Sequence, residues 1–421
     1  MSKKRVAGAT VFGPVVAVLA VLSMGQLPST SPNFGDPLPN LTAAEQASFA
    51  AGKTSFESPE AVSDGLGPVF NENACVVCHT TVVNGVSVTG SGSARLETRF
   101  GFTSSTGVFD PLDGTGPSGL NLGGSLMQDH AIGGPFCCDS VSGQPVTFVP
   151  EVVPPQANTV AKRRTTPLFG LGLVNNVPDQ TLIDLQGQTG GTVNMVIDIA
   201  SGQTKVGRFG WKCQQATLFA FSGDAYLNEM GITTPRYPSG MGFIMENCPQ
   251  GMCSELGANP GPSHPPDGTN DPDLSSLVAF TNFMTFLGAP PQVPFTVEAQ
   301  QGRGTFNRIG CATCHVPSLT TGPSSSAALN QVTFFPYSDF LPHHMGTLGD
   351  GIAQGSAGPR MMRTAPLWGV RLQTVLLHDG SATTIRQAIL RHAGQAKAAR
   401  DAFADLSDNQ QEALVTFLKS L

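Results

Sequence analysis

The chain has 421 residues, with 49 glycines, 33 prolines, 13% charged residues and a net charge of −7. This length allows two or three domains, and a charged fraction well below the usual quarter or so indicates a loop-rich protein built around bulky apolar groups. Because no basic run follows the first few residues, the composition argues against nucleic-acid binding.

The N-terminus has the features of an export signal. Lys3, Lys4 and Arg5 form a positive region, and the stretch from Val6 to Met24 is apolar and uncharged. Residues 1–32 are therefore predicted to be a signal peptide. A membrane anchor is the alternative, because no clear cleavage motif follows and the apolar run approaches a length that spans a bilayer. Either reading places the body of the protein in the periplasm.

The first domain is predicted to cover residues 41–288. Thr42 and Glu45 form a capping box that opens a helix with Phe49 on its apolar side. The sequence then reads Cys-Val-Val-Cys-His at 75–79, an attachment motif for a c-type haem. Cys75 and Cys78 lie one short turn apart, so each thiol can form a thioether with the porphyrin, and His79 follows as the proximal iron ligand. A structural zinc site or a disulfide is the alternative.

Residues 84–160 are rich in Gly, Ser, Thr and Pro and are predicted to form loops and short strands. Residues 211–230 are predicted to be helical, with Gly231 as a stop. A further amphipathic helix is predicted from Leu274 to Leu287. The Gly-Ala-Pro-Pro sequence that follows it marks the boundary at 288/289.

The second domain is predicted to cover residues 289–421 and repeats this order. A helix from Val297 to Phe306 leads into Cys-Ala-Thr-Cys-His at 311–315. Cys311 and Cys314 are the predicted thioether positions, and His315 is the predicted proximal ligand. The chain closes with a helix from Thr383 to His392 and another that opens at a Ser407–Gln410 capping box.

Five cysteines lie outside the two haem motifs. Cys248 and Cys253 are predicted to form a short-loop disulfide, and Cys137 or Cys138 is a candidate partner of Cys213. In an oxidising compartment, structural bridges are the favoured role. A catalytic thiol is the alternative.

The chain contains an internal repeat. Residues 164–170, Arg-Thr-Thr-Pro-Leu-Phe-Gly, match residues 363–369, Arg-Thr-Ala-Pro-Leu-Trp-Gly. Each copy lies downstream of its own haem motif, so a duplicated haem module explains the match. Arg164 and Arg363 are candidate partners of haem propionates, with an ordinary surface salt bridge as the alternative.

These segments resemble the di-haem cytochrome c peroxidase superfamily, in its di-haem oxidoreductase, putative peroxidase or thiol oxidoreductase-like branch. The matching segments are GLGPVFNENACVVCH (65–79), RRTTPLFGLGLVNNVPD (163–179), GRFGWK (207–212), GCATCH (310–315), LPHHMG (341–346), MRTAPLWG (362–369) and LHDG (377–380). The resemblance implies a mainly α fold with two cytochrome c-like haem domains, long Gly/Pro-rich loops and some short strands. It also implies two covalent haem c groups and Ca²⁺ between the domains, although no run of acidic ligands demands the ion.

The distal ligands decide which haem can react, since only an iron with an open or displaceable sixth site binds an oxidant. Known relatives carry Met directly before the His-Asp-Gly of the last segment, where this chain has Leu377. For the second haem, His343 or Met345 is favoured over His378. The wider set of candidates comprises His130, His264, His344, His392, the remaining methionines and the tyrosines.

For the first haem, the repeat offset places Asp179 opposite His378, so that haem lacks an obvious distal ligand. It is predicted to be five-coordinate, or loosely capped by His130, and to be the catalytic haem. A distal acid/base is also needed to move a proton between the peroxide oxygens. Glu97, Glu151, Asp179 and Asp198 are available for it, and no pattern selects one. Trp211 is a candidate electron relay, with core packing as the alternative.

The sequence thus predicts an exported di-haem oxidoreductase of peroxidase type. A small cytochrome or cupredoxin would deliver electrons to the haem of His315, and the haem of His79 would reduce peroxide or a similar small oxidant. Two alternatives are an electron-transfer cytochrome without its own substrate and a di-haem oxidase or oxygenase of an organic substrate. A high-spin haem separates the first from the second, and turnover with hydrogen peroxide separates the first from the third.

Overall fold

A computed structural model of the chain describes residues 33–83, 86–114, 116–120, 125–134, 147–234, 271 and 273–421. The leader, His264 and the four cysteines at 137, 138, 248 and 253 lie outside the described residues, so their assignments stay predictions. Within the described ranges, no helix has both the length and the apolar character needed to cross a membrane.

Helices are the main regular structure of the described residues, as predicted. They are α1 (Ala43–Glu57), α2 (Cys75–Cys78), α3 (Leu171–Asn175), α4 (Asp179–Thr189), α5 (Leu218–Met230), α6 (Ser275–Phe286), α7 (Val297–Arg308), α8 (Ile385–Arg391), α9 (Lys397–Ala404) and α10 (Asp408–Lys419). Short 3₁₀ turns cover Val62–Asp64, Cys311–Thr313, Gly346–Leu348, Val370–Leu372 and Gly394–Ala396.

Local capping explains most helix starts. The capping box of α1 is present, with the Thr42 main-chain N–H donating to Glu45 at 2.7 Å, and α10 begins after the Ser407 box. The helix predicted over 211–230 is shorter than expected and begins only at Leu218, because Cys213 has a left-handed backbone (φ 54°) that no helix accommodates. Helices α3, α4 and α9 were not predicted.

The strands are short and antiparallel. They are β1 (Val69–Phe70), β2 (Thr80–Val83), β3 (Val86–Thr89), β4 (Leu96–Thr103), β5 (Phe109–Asp110), β6 (Leu126–Met127), β7 (His130–Ala131), β8 (Thr159–Arg164), β9 (Met195–Asp198), β10 (Gln203–Val206), β11 (Leu319–Thr320), β12 (Thr333–Phe334), β13 (Pro342–His344) and β14 (Met361–Arg363). The largest sheet has β4 at its centre, paired with β5, β6 and β8. The remaining strands form the pairs β1–β7, β2–β3, β9–β10, β11–β12 and β13–β14.

The first and last helices of each predicted domain cross at a glycine. A Cβ atom on Gly52 of α1 would lie 2.3 Å from the carbonyl oxygen of Ala279 in α6. A Cβ atom on Gly302 of α7 would lie 1.9 Å from the carbonyl oxygen of Ala413 in α10. Both crossings therefore need a residue without a side chain. The structure shows the same arrangement twice, as the internal repeat predicts.

Aromatic clusters fill the space beside each crossing. Phe283 of α6 is fully buried, and its ring centre lies 5.5 Å from that of Phe49 and 4.8 Å from that of Phe56 in α1. In the other pair of helices, Phe417 of α10 lies 5.4 Å from Phe306 of α7. The first cluster also includes residues between 319 and 341 together with Trp368. The apolar core thus extends across the predicted boundary at 288/289, and that boundary stays a prediction.

The two copies of the repeat contact each other. Gly170 and Gly369 each end their copy with φ 66°, a left-handed conformation that glycine adopts without strain, and each precedes a helical turn. A Cβ atom on Gly170 would lie 2.6 Å from the Trp368 ring. The matching sequence segments therefore have matching backbones and lie together at the centre of the molecule.

Candidate functional site

The first haem motif lies at the wall of a cavity of about 240 Å³. Cys75 and Cys78 begin and end the single-turn helix α2, and His79 follows it directly. All three side chains line the cavity. Phe56 of α1 packs against the imidazole of His79, with ring centres 5.9 Å apart, so the helix that precedes the motif supports the histidine.

The second motif lines a larger cavity of about 520 Å³. Cys311, Cys314 and His315 all face it, and Phe306 of α7 packs 6.3 Å from the His315 ring in the role that Phe56 has for His79. The Nδ1 atom of His315 lies 2.9 Å from the Tyr337 carbonyl oxygen. A carbonyl only accepts, so Nδ1 is the protonated nitrogen and Nε2 keeps a free lone pair for a metal.

The chemistry of these donors fits covalent haem. The four thiols are free, so the pairs form no disulfides, and burial raises the pKa of Cys75, Cys78 and Cys311 to about 12. Burial also lowers the pKa of His79 and of His315 to about 4, which keeps each imidazole neutral and able to bind iron.

A carboxylate pair also lines the His79 cavity. Glu97 and Arg99 are two residues apart on β4 and therefore point to the same side of the sheet, and Arg99 Nε donates to Glu97 at 3.1 Å. Glu229, near the end of α5, hydrogen-bonds to Glu97 and accepts from Asn71 Nδ2 at 2.7 Å. All four side chains line the cavity.

The two carboxyls of this pair have opposite pKa shifts. Burial alone would raise the pKa of Glu97, but the charge of Arg99 and the hydrogen bond from Glu229 lower it overall. Burial and then the neighbouring charge of Glu97 raise the pKa of Glu229 well above its usual value. The opposite shifts favour a charged Glu97 beside a protonated Glu229, which is the pattern of an acid/base pair.

Of the four predicted acid/base candidates, Glu97 is the one that lines a haem cavity. Glu151 is buried elsewhere and accepts from the Gln128 main chain at 2.8 Å. Asp179 pairs with Arg208, and Asp198 pairs with Lys205 at 2.8 Å. The last three carboxylates serve the fold.

The predicted distal ligands of the second haem belong to the lining of the His315 cavity. His343, Met345 and His378 all line the cavity. His343 uses both ring nitrogens, Nε2 with Asp339 at 2.7 Å and Nδ1 with the Cys314 sulfur at 3.6 Å. Nε2 is therefore engaged by Asp339, while Nδ1 lies beside a sulfur that haem attachment would convert to a thioether, so the role of His343 as a distal ligand stays a prediction.

Two other predicted positions lie away from the distal side of a haem. His130 is half exposed and pairs with Asp129 at 2.6 Å, so it does not cap the first haem. The predicted correspondence between Asp179 and His378 is wrong as well, because Asp179 lies outside both cavities. The constant offset fails because α3 and α4 follow the first copy of the repeat, whereas one 3₁₀ turn follows the second.

The structure instead makes Trp211 the counterpart of His378. The main-chain N–H of Arg164 donates to the carbonyl of His378 at 2.7 Å, and that of Arg363 donates to the carbonyl of Trp211 at 2.9 Å. The side chains follow the same rule: Arg164 Nε donates to Leu377 O at 3.1 Å, and Arg363 Nε donates to the preceding Gly210 O at 2.8 Å. Each repeat arginine thus binds main chain of the other module: Arg164 binds the segment that precedes α8, and Arg363 binds the segment that precedes α5.

Trp211 and Arg164 line both cavities. The indole Nε1–H donates to the carbonyl of Arg164 at 2.9 Å, and the ring meets that of His378 edge-on with centres 6.2 Å apart. Arg363 lines the second cavity. Trp211 and both arginines therefore lie at the cavities, and the relay role and the propionate contacts stay predictions.

Sequence reasoning missed Glu229 and Arg99. Glu229 lies four residues after Ala225 on α5, which places both on one helix face. Arg99 follows Glu97 at strand spacing. These two periodicities were the available signals, but neither shows that β4 and α5 meet at the same cavity.

Comparisons with known proteins show which family the chain belongs to. The profile of the family described as "Di-haem oxidoreductase, putative peroxidase" matches residues 155–421. Three solved structures are similar over most of the chain: a hydrazine synthase from Kuenenia stuttgartiensis (12% identity, 100% of both chains, TM-score 0.35), a MauG-like protein associated with microbial copper homeostasis (13%, 94% of both chains, 0.38) and the diheme peroxidase BthA from Burkholderia thailandensis (15%, 94% and 95%, 0.39). No curated protein matches in sequence.

The family match covers more than half of the chain and contains the second haem motif and both copies of the repeat. A di-haem family implies two haems, and the first motif provides the other attachment site, in a cavity built like that of the second. The chain therefore belongs to the di-haem oxidoreductase family.

Proposed function

We propose that the protein is an exported peroxidase that reduces hydrogen peroxide, or a related small oxidant, in the cavity of His79. A small cytochrome or cupredoxin would deliver electrons on the side of His315. When bound, the two haems supply one-electron transfer and a metal site for the oxidant. The observation that carries the proposal is the pair Glu97 and Glu229, which places an acid/base in the same cavity as the proximal histidine His79.

The residues of the His79 cavity have defined roles in this proposal. The ionised Glu97 accepts the proton from one peroxide oxygen and returns it to the other oxygen, which leaves as water. Glu229 holds a further proton for the second water, and Arg99 stabilises the negative charge of Glu97. Complete reduction of one peroxide consumes two electrons and two protons and yields two waters.

The asymmetry of the two cavities supports the direction of electron flow. Helix α5 presents Ala225, which cannot bind iron, to the His79 cavity. Trp211 lies on the wall shared with the second cavity, where it would relay electrons to the His79 side. Oxidant binding on one side and electron entry on the other is the arrangement that these features favour.

The periplasmic location and an anchoring role for the leader rest on residues 1–32, and Ca²⁺ between the domains rests on the family resemblance. Among the residues that the structure describes, no three His, Cys, Asp or Glu side chains converge as a metal site.

The decisive experiment is steady-state peroxide turnover by the haem-loaded full chain with a reduced cytochrome donor. Glu97→Gln keeps the shape of the side chain and removes the base, so kcat/KM is expected to fall by about 10²–10⁴. Glu151→Gln is the matched control: it changes another buried carboxyl outside the cavity and should leave turnover intact. A wild-type protein with two haems and no peroxide turnover would refute the proposal, and equal activity in both variants would refute the role of Glu97.

A further inference from the structure

We propose that His392 is the second axial ligand of the iron held by His315. The inference rests on haem attachment at Cys311–His315, as the proposed function does, and is independent of peroxide turnover. It assigns a ligand that the sequence left open when Leu377 replaced the expected methionine.

The first argument is the distance between the two rings. The imidazole centres of His315 and His392 lie 6.4 Å apart with their planes at 55°. Two imidazoles on opposite sides of one metal, each bound at about 2.0–2.1 Å, have ring centres roughly 6 Å apart. Rotation of either ring about the common axis leaves this distance unchanged, so the interplanar angle is compatible. Both residues line the same cavity.

The second argument is the orientation of the His392 ring. His392 lies at the C-terminal cap of α8, and its Nδ1 lies 2.8 Å from the Ala388 carbonyl oxygen one turn earlier. Nδ1 must therefore carry the proton, which leaves a lone pair on Nε2. His315 has the same arrangement with the carbonyl of Tyr337. Metal-bound histidines generally donate their second ring N–H in this way, which fixes tautomer and orientation.

The third argument is the setting of the competing histidines. His343 has its Nε2 engaged by Asp339 and its Nδ1 beside the sulfur of Cys314, itself a haem-attachment position, and the ring of His378 packs edge-on against Trp211. Among the histidines of this cavity in the described part of the chain, His392 is the one whose ring contacts that of His315. Met345 also lines the cavity and is the alternative that the experiment must separate.

The duplication supplies an internal comparison. Thr217 and Thr384 cap the starts of α5 and α8 with their side chains. Thr217 lies six residues after Trp211, and Thr384 lies six residues after His378. Eight residues after Thr384 is His392, and eight residues after Thr217 is Ala225. The same helical position thus carries an imidazole in the second module and a methyl group in the first, which lets one iron be capped while the other stays open.

The test is spectroscopic and uses the oxidised full chain with both haems. Electron paramagnetic resonance and near-infrared magnetic circular dichroism should show one low-spin haem with two histidine ligands and one high-spin haem. In His392→Gly, the low-spin signal should be lost, and added imidazole should restore it. In His392→Met, the haem should stay low-spin, acquire the charge-transfer band of His/Met ligation and shift to a higher reduction potential.

His344→Gly is the matched control, because His344 neighbours the same cavity wall with an exposed side chain, and it should keep the wild-type spectrum. A low-spin signal that survives in His392→Gly, or one that is lost in Met345→Ala or His378→Gly, would overturn the assignment. If both His392 variants fail to retain the second haem, the wild-type near-infrared band decides between two histidines and His/Met. A protein mass with fewer than two haems would instead count against the proposed function.

Discussion

A buried ionic cluster links the two predicted domains, and its carboxylate is the most informative position for a stability test. Asp350 accepts a hydrogen bond from Arg163 Nε at 2.8 Å and forms ion pairs with Arg163 Nη2 at 2.7 Å and with Lys212 Nζ at 2.8 Å. The three side chains are at most 1% exposed. Removing one partner from such a cluster leaves uncompensated buried charge, and this costs about 3–5 kcal/mol.

The remaining contacts place Asp350→Asn at the lower end of that range. Arg163 keeps a hydrogen bond to Gln354 at 2.7 Å, and Lys212 keeps the carbonyls of Gly358 and Met361. We therefore expect a loss of about 3 kcal/mol, a large share of the roughly 5–15 kcal/mol that stabilises a typical domain. Urea unfolding of the haem-loaded chain, followed by far-ultraviolet circular dichroism, measures this as a lower midpoint at unchanged slope.

An exposed aspartate provides the matched control. Asp401 pairs with Lys397 at 2.5 Å on the surface, and Asp401→Asn should leave the midpoint nearly unchanged because solvent screens such pairs. Equal midpoints for the two variants would contradict the reasoning, since they would show that burial adds nothing to the Asp350 cluster.

The pH dependence of the same variant gives a second check. Burial lowers the pKa of Lys212 to about 8, and the charge of Asp350 opposes this shift. Without Asp350 the pKa falls further, so the folded variant releases a proton that the unfolded chain still binds. Stability rises with pH wherever the unfolded state binds more protons. The loss of unfolding free energy caused by Asp350→Asn should therefore become smaller between neutral and alkaline pH. A loss that becomes larger would show that Lys212 is not the affected group.

Three further predictions concern the helix crossings and the His79 cavity. Gly302→Ala should destabilise the protein by about 1–3 kcal/mol because the new methyl group meets a carbonyl of α10. Gly304→Ala on the same helix has open space and should stabilise the protein by up to about 1 kcal/mol. The urea midpoints of the two variants should therefore shift in opposite directions from that of the wild type. The pH profile of kcat/KM should be bell-shaped, falling at acid pH as Glu97 gains a proton and at alkaline pH as Glu229 loses one, and Glu229→Gln should remove the alkaline limb alone. Ala225→His should convert the high-spin haem to low-spin and abolish peroxide turnover with both haems retained; an unchanged high-spin signal would show that position 225 does not face the iron.

The parts of the fold with strictly local causes could be predicted from the sequence. The capping boxes at Thr42 and Ser407 specify the starts of α1 and α10 within a few residues. Thioether spacing likewise identifies both haem motifs without any knowledge of the fold. Helix α3 was missed because it is five residues long and buries four successive residues, so it shows no helical period. Helix α4 was missed because its buried face, Leu182, Leu185 and Thr189, contains only two apolar residues.

The residues that share each cavity with its haem motif could not be predicted, because long-range contacts bring them together. Glu97 lies on a strand and Glu229 on a helix, and only the packing of α5 against the β4 sheet brings them together. Trp211 and His378 correspond through main-chain bonds to the opposite repeat arginines, and no spacing rule encodes such an exchange.

The structure thereby indicates how duplication of one haem module yields two different sites. Both modules retain the glycine crossing, the phenylalanine behind the proximal histidine and the threonine-capped distal helix. They differ at the position eight residues after the threonine cap, which is Ala225 in the first module and His392 in the second, and the first cavity is also lined by carboxylates of β4 and α5. An open iron beside a proton donor is useful only if electrons arrive there, and a capped iron is useful only if it passes them on. The two differences therefore complement each other, and Trp211 on the shared wall lies where the two halves of the reaction must connect.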